Sequence, residues 1–151
     1  EPYHITAQLR PNVESEFLLL QPLTPLERPN LSAWLAARSD GDNYGEIVLL
    51  RFPNQSTIFG PEQIQALINQ NPEISQQFSL WDRAGSEVIQ GNLLVLPIGK
   101  ALLYVEPIYL KASTGGLPTL TRVVVSDGKR IAMAENLTEG IRKLLDEFKP
   151  E

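Results

Sequence analysis

The chain has 151 residues, no cysteine, one histidine and a formal net charge of −5, with a pI near 4.9. That length suits one ordinary domain, able to bury roughly 68–70% of the surface its unfolded form exposes without covalent staples. The composition excludes disulfides and thiolate chemistry, leaves any zinc site to lean on carboxylates beside His4, and argues against a nucleic-acid surface, which draws on clustered Lys and Arg.

The chain opens at Glu1, without an initiator methionine, in the phrase EPYHITAQL, which predicts a piece excised from a longer protein. Residues 17–21, FLLLQ, form an apolar run closed by Pro22, Pro25 and Pro29, the pattern of a buried strand followed by an extended loop. The PLTP match to PxxP within that loop reads as loop. Residues 31–38 suit a helix on propensity, yet DGDNYG followed by EIVLLRFP predicts two antiparallel strands joined by a polar, glycine-containing turn. Gly60-Pro61-Glu62 opens a first helix carrying Ile64, Leu67 and Ile68, and Asn71-Pro72-Glu73 caps a second carrying Ile74, Phe78 and Trp81. Residues 82–86, DRAGS, read as the turn that ends it.

Residues 91–112, GNLLVLPIGKALLYVEPIYLKA, are the most apolar stretch. A spanning helix needs about 20 predominantly apolar residues, whereas Pro97, Gly99, Lys100, Glu106 and Pro107 interrupt this one. A hairpin turning at Ile98-Gly99-Lys100-Ala101 accommodates all five, because proline is tolerated at strand ends, edges and bulges and glycine supplies the turn. After a flexible connection at residues 113–118, Asp127-Gly128 marks a second hairpin. Asn136-Leu137-Thr138-Glu139 has capping-box spacing ahead of an apolar stripe at Leu137, Ile141, Leu144, Leu145 and Phe148. The expected architecture is a single α+β domain over residues 1–151, antiparallel hairpins forming a sheet with short helices packed on one face and the other face left for a partner.

Chemistry-bearing residues are few. Asp40, Asp42, Asn43 and Glu46 crowd one turn, as calcium ligands do. The EF-hand pattern nevertheless fails: counted from Asp40, the fifth position is Tyr44 and the twelfth Arg51. Asp40, Asp42 and Glu46 are therefore metal candidates only against the simpler reading of a solvated turn, and no metal or other cofactor is expected. Glu106, between Val105 and Pro107, is the carboxylate whose burial would raise its pKa, and Tyr104 and Tyr109 flank it as ligand-binding candidates. The competing reading has Glu106 facing solvent or paired with a base. Trp34, Tyr44 and Trp81 complete an aromatic set that suits either a groove or a core, with Trp81 assigned to core by its phase with Ile74 and Phe78. No GxSxG, GxxxxGK or GxGxxG occurs, so no catalytic residue is assigned. The Asn-X-Ser/Thr matches at Asn30, Asn54 and Asn136 read as chance.

The strings WLAARSDG, GPEQI, NPEISQQ and GNLLV, with FLLLQPLTP before them and LLYVEPIYL after, make the chain resemble the UPF0182 family. The resemblance covers nearly the whole chain and implies a bacterial, cyanobacterial-like origin. Members are multi-pass membrane proteins of uncharacterised activity, so it implies a C-terminal soluble portion reaching the cell membrane through its parent chain. The family pattern carries tyrosine where this chain has His4, so that imidazole inherits no role. The expected function is a non-catalytic interaction or assembly module, its partners the rest of the parent protein or a further protein, with no nucleic acid. The alternatives are a carboxylate-dependent enzyme or a ligand-sensing domain acting on cell-envelope material. An extracytoplasmic side is compatible with the absence of cysteine.

Overall fold

The computed structural model describes residues 1–10, 12–53, 57–98 and 101–146. Among them are nine strands, β1 (Tyr3–Ala7), β2 (Glu16–Leu23), β3 (Ala33–Arg38), β4 (Ile47–Arg51), β5 (Ser86–Gln90), β6 (Leu94–Ile98), β7 (Ala101–Ala112), β8 (Thr119–Ser126) and β9 (Ile131–Ala134). Three α-helices join them, α1 (Pro61–Gln70), α2 (Pro72–Arg83) and α3 (Leu137–Asp146). The chain is α+β, and the pairings β1-β2, β2-β3, β3-β4, β5-β7, β7-β8 and β8-β9 are antiparallel. It divides into two compact units, one of Glu1–Gln63 with Pro97–Leu102, the other of Ile64–Leu96 with Leu103–Glu151.

The first unit is built on a four-stranded sheet in the order β1-β2-β3-β4. Its register places Tyr3 opposite Leu20, Leu20 opposite Ala36, and Ala36 opposite Val48. Because strand side chains alternate, these residues share one face with Ile5, Leu18, Trp34 and Leu50. Leu18, Leu20 and Ala36 are fully buried there, with Tyr3, Ile5, Ala7 and Leu9 packed against them. Trp34 meets Phe52 edge-on at 5.1 Å between centroids. The polar turn between β3 and β4 is a short 3-10 segment, Gly41–Asn43, so the hairpin expected from DGDNYG is present. Gly60 fits only as glycine, since a Cβ there would lie 1.9 Å from the Pro29 carbonyl oxygen.

The second unit contains the sheet β5-β7-β8-β9, with β6 also paired to β7. The apolar stretch at residues 91–112 therefore folds back as two paired strands, and no described helix is long and apolar enough to cross a membrane. Gly99 and Lys100, the expected turn, lie outside the described residues. Pro107 stands in the interior of β7, and its position explains how it is tolerated. Its carbonyl accepts from Gly91 N at 2.8 Å, so its missing N–H faces the same edge, where pairing passes from β5 to β6. A Cβ on Gly91 would come within 2.6 Å of Pro107 Cγ.

Helices cover both faces of this second sheet, a correction to the expected one-sided packing. Leu103, Val105, Val123, Val125 and Ala132 form one face with Leu144 of α3 upon it. On the opposite face, Arg122 of β8 lies over the Trp81 ring of α2 at 5.6 Å, and Gln65 of α1 bonds Glu106 of β7. The physical reason is that β7 and β8 are apolar on alternate residues of both faces, so each face needs a cover.

Local signals operate as the residues predict. Asn71 Oδ1 accepts from Ile74 N at 3.1 Å and Asn136 Oδ1 from Glu139 N at 3.0 Å. Gly128 turns the β8–β9 hairpin at φ 95°. The stripe on α3 differs from expectation: Leu144 is buried, but Leu145 is 63% exposed, and Phe148 lies outside the described residues. Gly140 sets this rotation, because its missing side chain lets the helix backbone come down on Val125.

Candidate functional site

Glu106 is completely buried. Residues alternate along β7, so Tyr104, Glu106 and Ile108 share a face, and the pairing of Gln90 with Ile108 places Gln90 diagonally beside Glu106 on it. Gln90 Nε2 lies 3.5 Å from Glu106 Oε1 and 3.3 Å from Oε2. The same nitrogen donates to Asn69 Oδ1 at 3.1 Å, and Gln65 Nε2 reaches that oxygen at 3.4 Å. Gln65 also bonds the Glu106 carboxyl. Burial pushes the carboxyl above its ordinary pKa, and the two amides pull it back only in part. Tyr104 on the same face is likewise pushed up, to about 12, by burial. Tyr109 belongs to the other face, where its ring edge borders Gly91.

This arrangement brings Tyr104 and Glu106 to one face, and leaves Tyr109 out. The Glu106 side chain does not face solvent, and among the described residues no base pairs with it. Its hydrogen-bond partners are carboxamides. A carboxyl held this way ties α1 and β5 to β7; general acid–base work would need a second acid with a separated environment and access for a substrate proton.

The acidic turn is engaged in local bonds. Asp40 Oδ2 accepts from Phe17 N at 3.0 Å, and Arg38 Nη1 donates to Glu46 at 2.8 Å while its Nε donates to Glu16 at 2.7 Å. These bonds, Glu16 foremost, raise the Arg38 pKa further. Among the described residues no group of three or more His, Asp or Glu side chains is disposed to hold a metal. The aromatic set is dispersed: Tyr44 is exposed on the turn, Trp34 is buried under the first sheet, and Trp81 is half-buried, stacked on Phe78 at 6.1 Å.

Two surfaces of the first unit remain. On the core side of its sheet, Leu18, Leu20, Trp34 and Leu50 wall a cleft of about 760 Å³, with Arg10, Asn12 and Ser15 also lining it. The buried Trp34 Nε1 has no hydrogen-bond partner among the described residues. The opposite sheet face is apolar and open. Register places Leu19 beside Ala37 and Ile47, and Leu35 beside Leu49, with Phe17 next along β2. Ile47 is 65% exposed and Leu49 44% exposed, and Phe17 and Leu35 are exposed as well. His4 stacks on Phe17 at 5.1 Å. Alternation in IVLLR contains this surface, but only the exposure of these side chains in the folded chain shows it to be uncovered.

Two antiparallel sheets define an α+β chain, with a carboxyl buried among amides in its second unit and an open apolar sheet face in its first. The chain belongs to UPF0182, an uncharacterised protein family, whose model matches residues 1–81. It is 81% identical over 146 residues to a UPF0182 protein of Prochlorococcus marinus (strain MIT 9303), covering 97% of this chain and 15% of that protein. It is 78% identical over 144 residues to one of Synechococcus sp. (strain CC9311), covering 95% and 15%. One of Thermosynechococcus vestitus is 57% identical over 143 residues, with the same two coverages. The chain thus spans about 15% of the length of these relatives. No solved structure matches it.

Proposed function

We propose that this region is a non-catalytic assembly module, whose apolar sheet face packs against other parts of its own longer polypeptide. The observation that carries this reading is the face formed by Phe17, Leu19, Leu35, Ile47 and Leu49. Large aliphatic side chains gathered on one open sheet surface mark a contact surface, and covering Ile47 and Leu49 is worth on the order of 1 kcal/mol each. The length of the relatives supports an occupant from the same polypeptide. A cell-membrane location belongs to this proposal, resting on the family resemblance, with the module attached through its parent chain. Glu106, fully buried between two amides, favours a structural role over the carboxylate-dependent enzyme. The cleft beneath Trp34 is the observation that favours the ligand-sensing alternative.

The test is side-chain labelling in the full-length polypeptide. Cysteine placed at Ile47 or Leu49 is expected to react with a maleimide about tenfold more slowly than cysteine at Tyr44, which lies outside the apolar face. Equal rates at the three positions overturn the reading.

A further inference from the structure

Among the described residues β4 is an edge strand, with little to keep its edge from pairing. Natural sheets blunt their edges with lysine, proline, bulges or very short strands. β4 reads IVLLR, with neither lysine nor proline and a single charge at its last residue, Arg51, and its register against β3 is continuous. The direction of its free hydrogen-bonding groups follows from the flanking bonds. Arg38 N donates to Glu46 O at 2.9 Å and Phe52 N donates to Ser32 O at 3.0 Å. Residues 46 and 52 therefore face β3, and by alternation Val48 and Leu50 do too. The N–H and C=O groups of Ile47, Leu49 and Arg51 point to the open edge. Side chains of the same three residues lie on the uncovered face, so the apolar surface runs continuously off the unpaired edge.

Resting on the proposed assembly role, we infer that the β4 edge receives an additional strand, supplied by another segment of the same polypeptide, which extends the first sheet to five strands. Strand addition satisfies the open backbone groups and lets alternate side chains of the incoming segment continue the apolar face. A second copy paired edge to edge would satisfy the same backbone groups, but only at the concentrations that bimolecular pairing needs. A segment of the same chain arrives at high effective concentration, and the relatives are long enough to supply it.

Amide exchange in the full-length polypeptide, resolved to single residues, reads the inference directly. The N–H groups of Ile47, Leu49 and Arg51 are expected to exchange as slowly as those of Val48 and Leu50, about 100-fold or more below the free-chain rate. Arg51→Pro removes an outward N–H without touching the hydrogen bonds to β3 or the aliphatic side chains of the open face. It is expected to release the protection at Ile47 and Leu49 while Val48 and Leu50 keep theirs. Fast exchange at 47, 49 and 51 beside slow exchange at 48 and 50 overturns the inference in the unmodified protein, whether or not the variant folds. Slow labelling of cysteine at position 49 together with that fast exchange retains the covered face and removes only the added strand. A disulfide-linked dimer formed through Leu49→Cys assigns the edge to a second copy and also overturns it.

Discussion

Gln90 reaches across from β5 to within 3.3 Å of the Glu106 carboxyl in β7, and Glu106 has no exposed surface at all. A carboxyl in this setting is stabilised in its neutral form, because the amides replace only part of the hydration that an anion requires. The contact joins two strands and, through Asn69, the helix above them.

A titration of stability follows for Glu106→Gln. The folded-state pKa of Glu106 lies above its unfolded value, so its stabilising contribution is complete below the ordinary carboxyl range and is lost as pH rises through the folded value. The variant is neutral at every pH. Chemical denaturation from acid to neutral pH should show wild type and Glu106→Gln close together at the acid end, with the variant the more stable at neutral pH. Parallel curves would mean that Glu106 ionises freely in the fold.

Asp127 has the opposite sign. Burial acts to raise its pKa, but the backbone N–H and guanidinium of Arg130 and the backbone N–H of Lys129 outweigh it and hold the carboxyl below the ordinary range. Its Oδ2 accepts from Arg130 Nη2 at 2.6 Å. The stabilisation is present above the unfolded pKa and disappears as pH falls through the depressed folded value. Asp127→Asn should cost about 0.5–1 kcal/mol at neutral pH, as partly exposed ion pairs do, and nothing at strongly acid pH. An equal loss at both ends would point to altered turn geometry in place of charge.

Gly140 and Val125 form a packing pair that a double-mutant cycle can read. A Cβ at position 140 would meet Val125 Cγ2 at 2.9 Å and Cγ1 at 3.1 Å. Alanine gains about 1 kcal/mol of helix propensity over glycine, against an overpacking cost of roughly 1–3 kcal/mol. Gly140→Ala should therefore be destabilising by about 1 kcal/mol in urea unfolding, and neutral or stabilising when introduced into Val125→Ala. Additive effects would show that α3 has room to move away from the sheet.

Much of the fold was legible because its signals are local. Asn71 and Asn136 cap the helices they precede, Asp127-Gly128 turns its hairpin, and the prolines and glycine within residues 91–112 mark a folded-back pair of strands. β1 carried too little pattern in five residues to be recognised without β2 beside it. The outward turn of Leu145 depends on how closely Gly140 approaches Val125, a contact between α3 and a strand reached only after folding. Glu106 was recognisable as the carboxylate to watch, yet its amide partners were not, since Gln65 and Gln90 are ordinary polar residues until α1 and β5 are laid against β7.

Taken alone, the order of residues determined the α+β class, the hairpins, the helix starts and the family, because alternation, capping and turn chemistry act over a few neighbouring positions. Tertiary structure alone decided that helices cover both faces of the second sheet, that Glu106 is enclosed by amides, and that Ile47 and Leu49 stand open at an unpaired edge. Periodicity assigns side chains to a common face; only the placement of distant segments determines whether that face, or the backbone beside it, is covered.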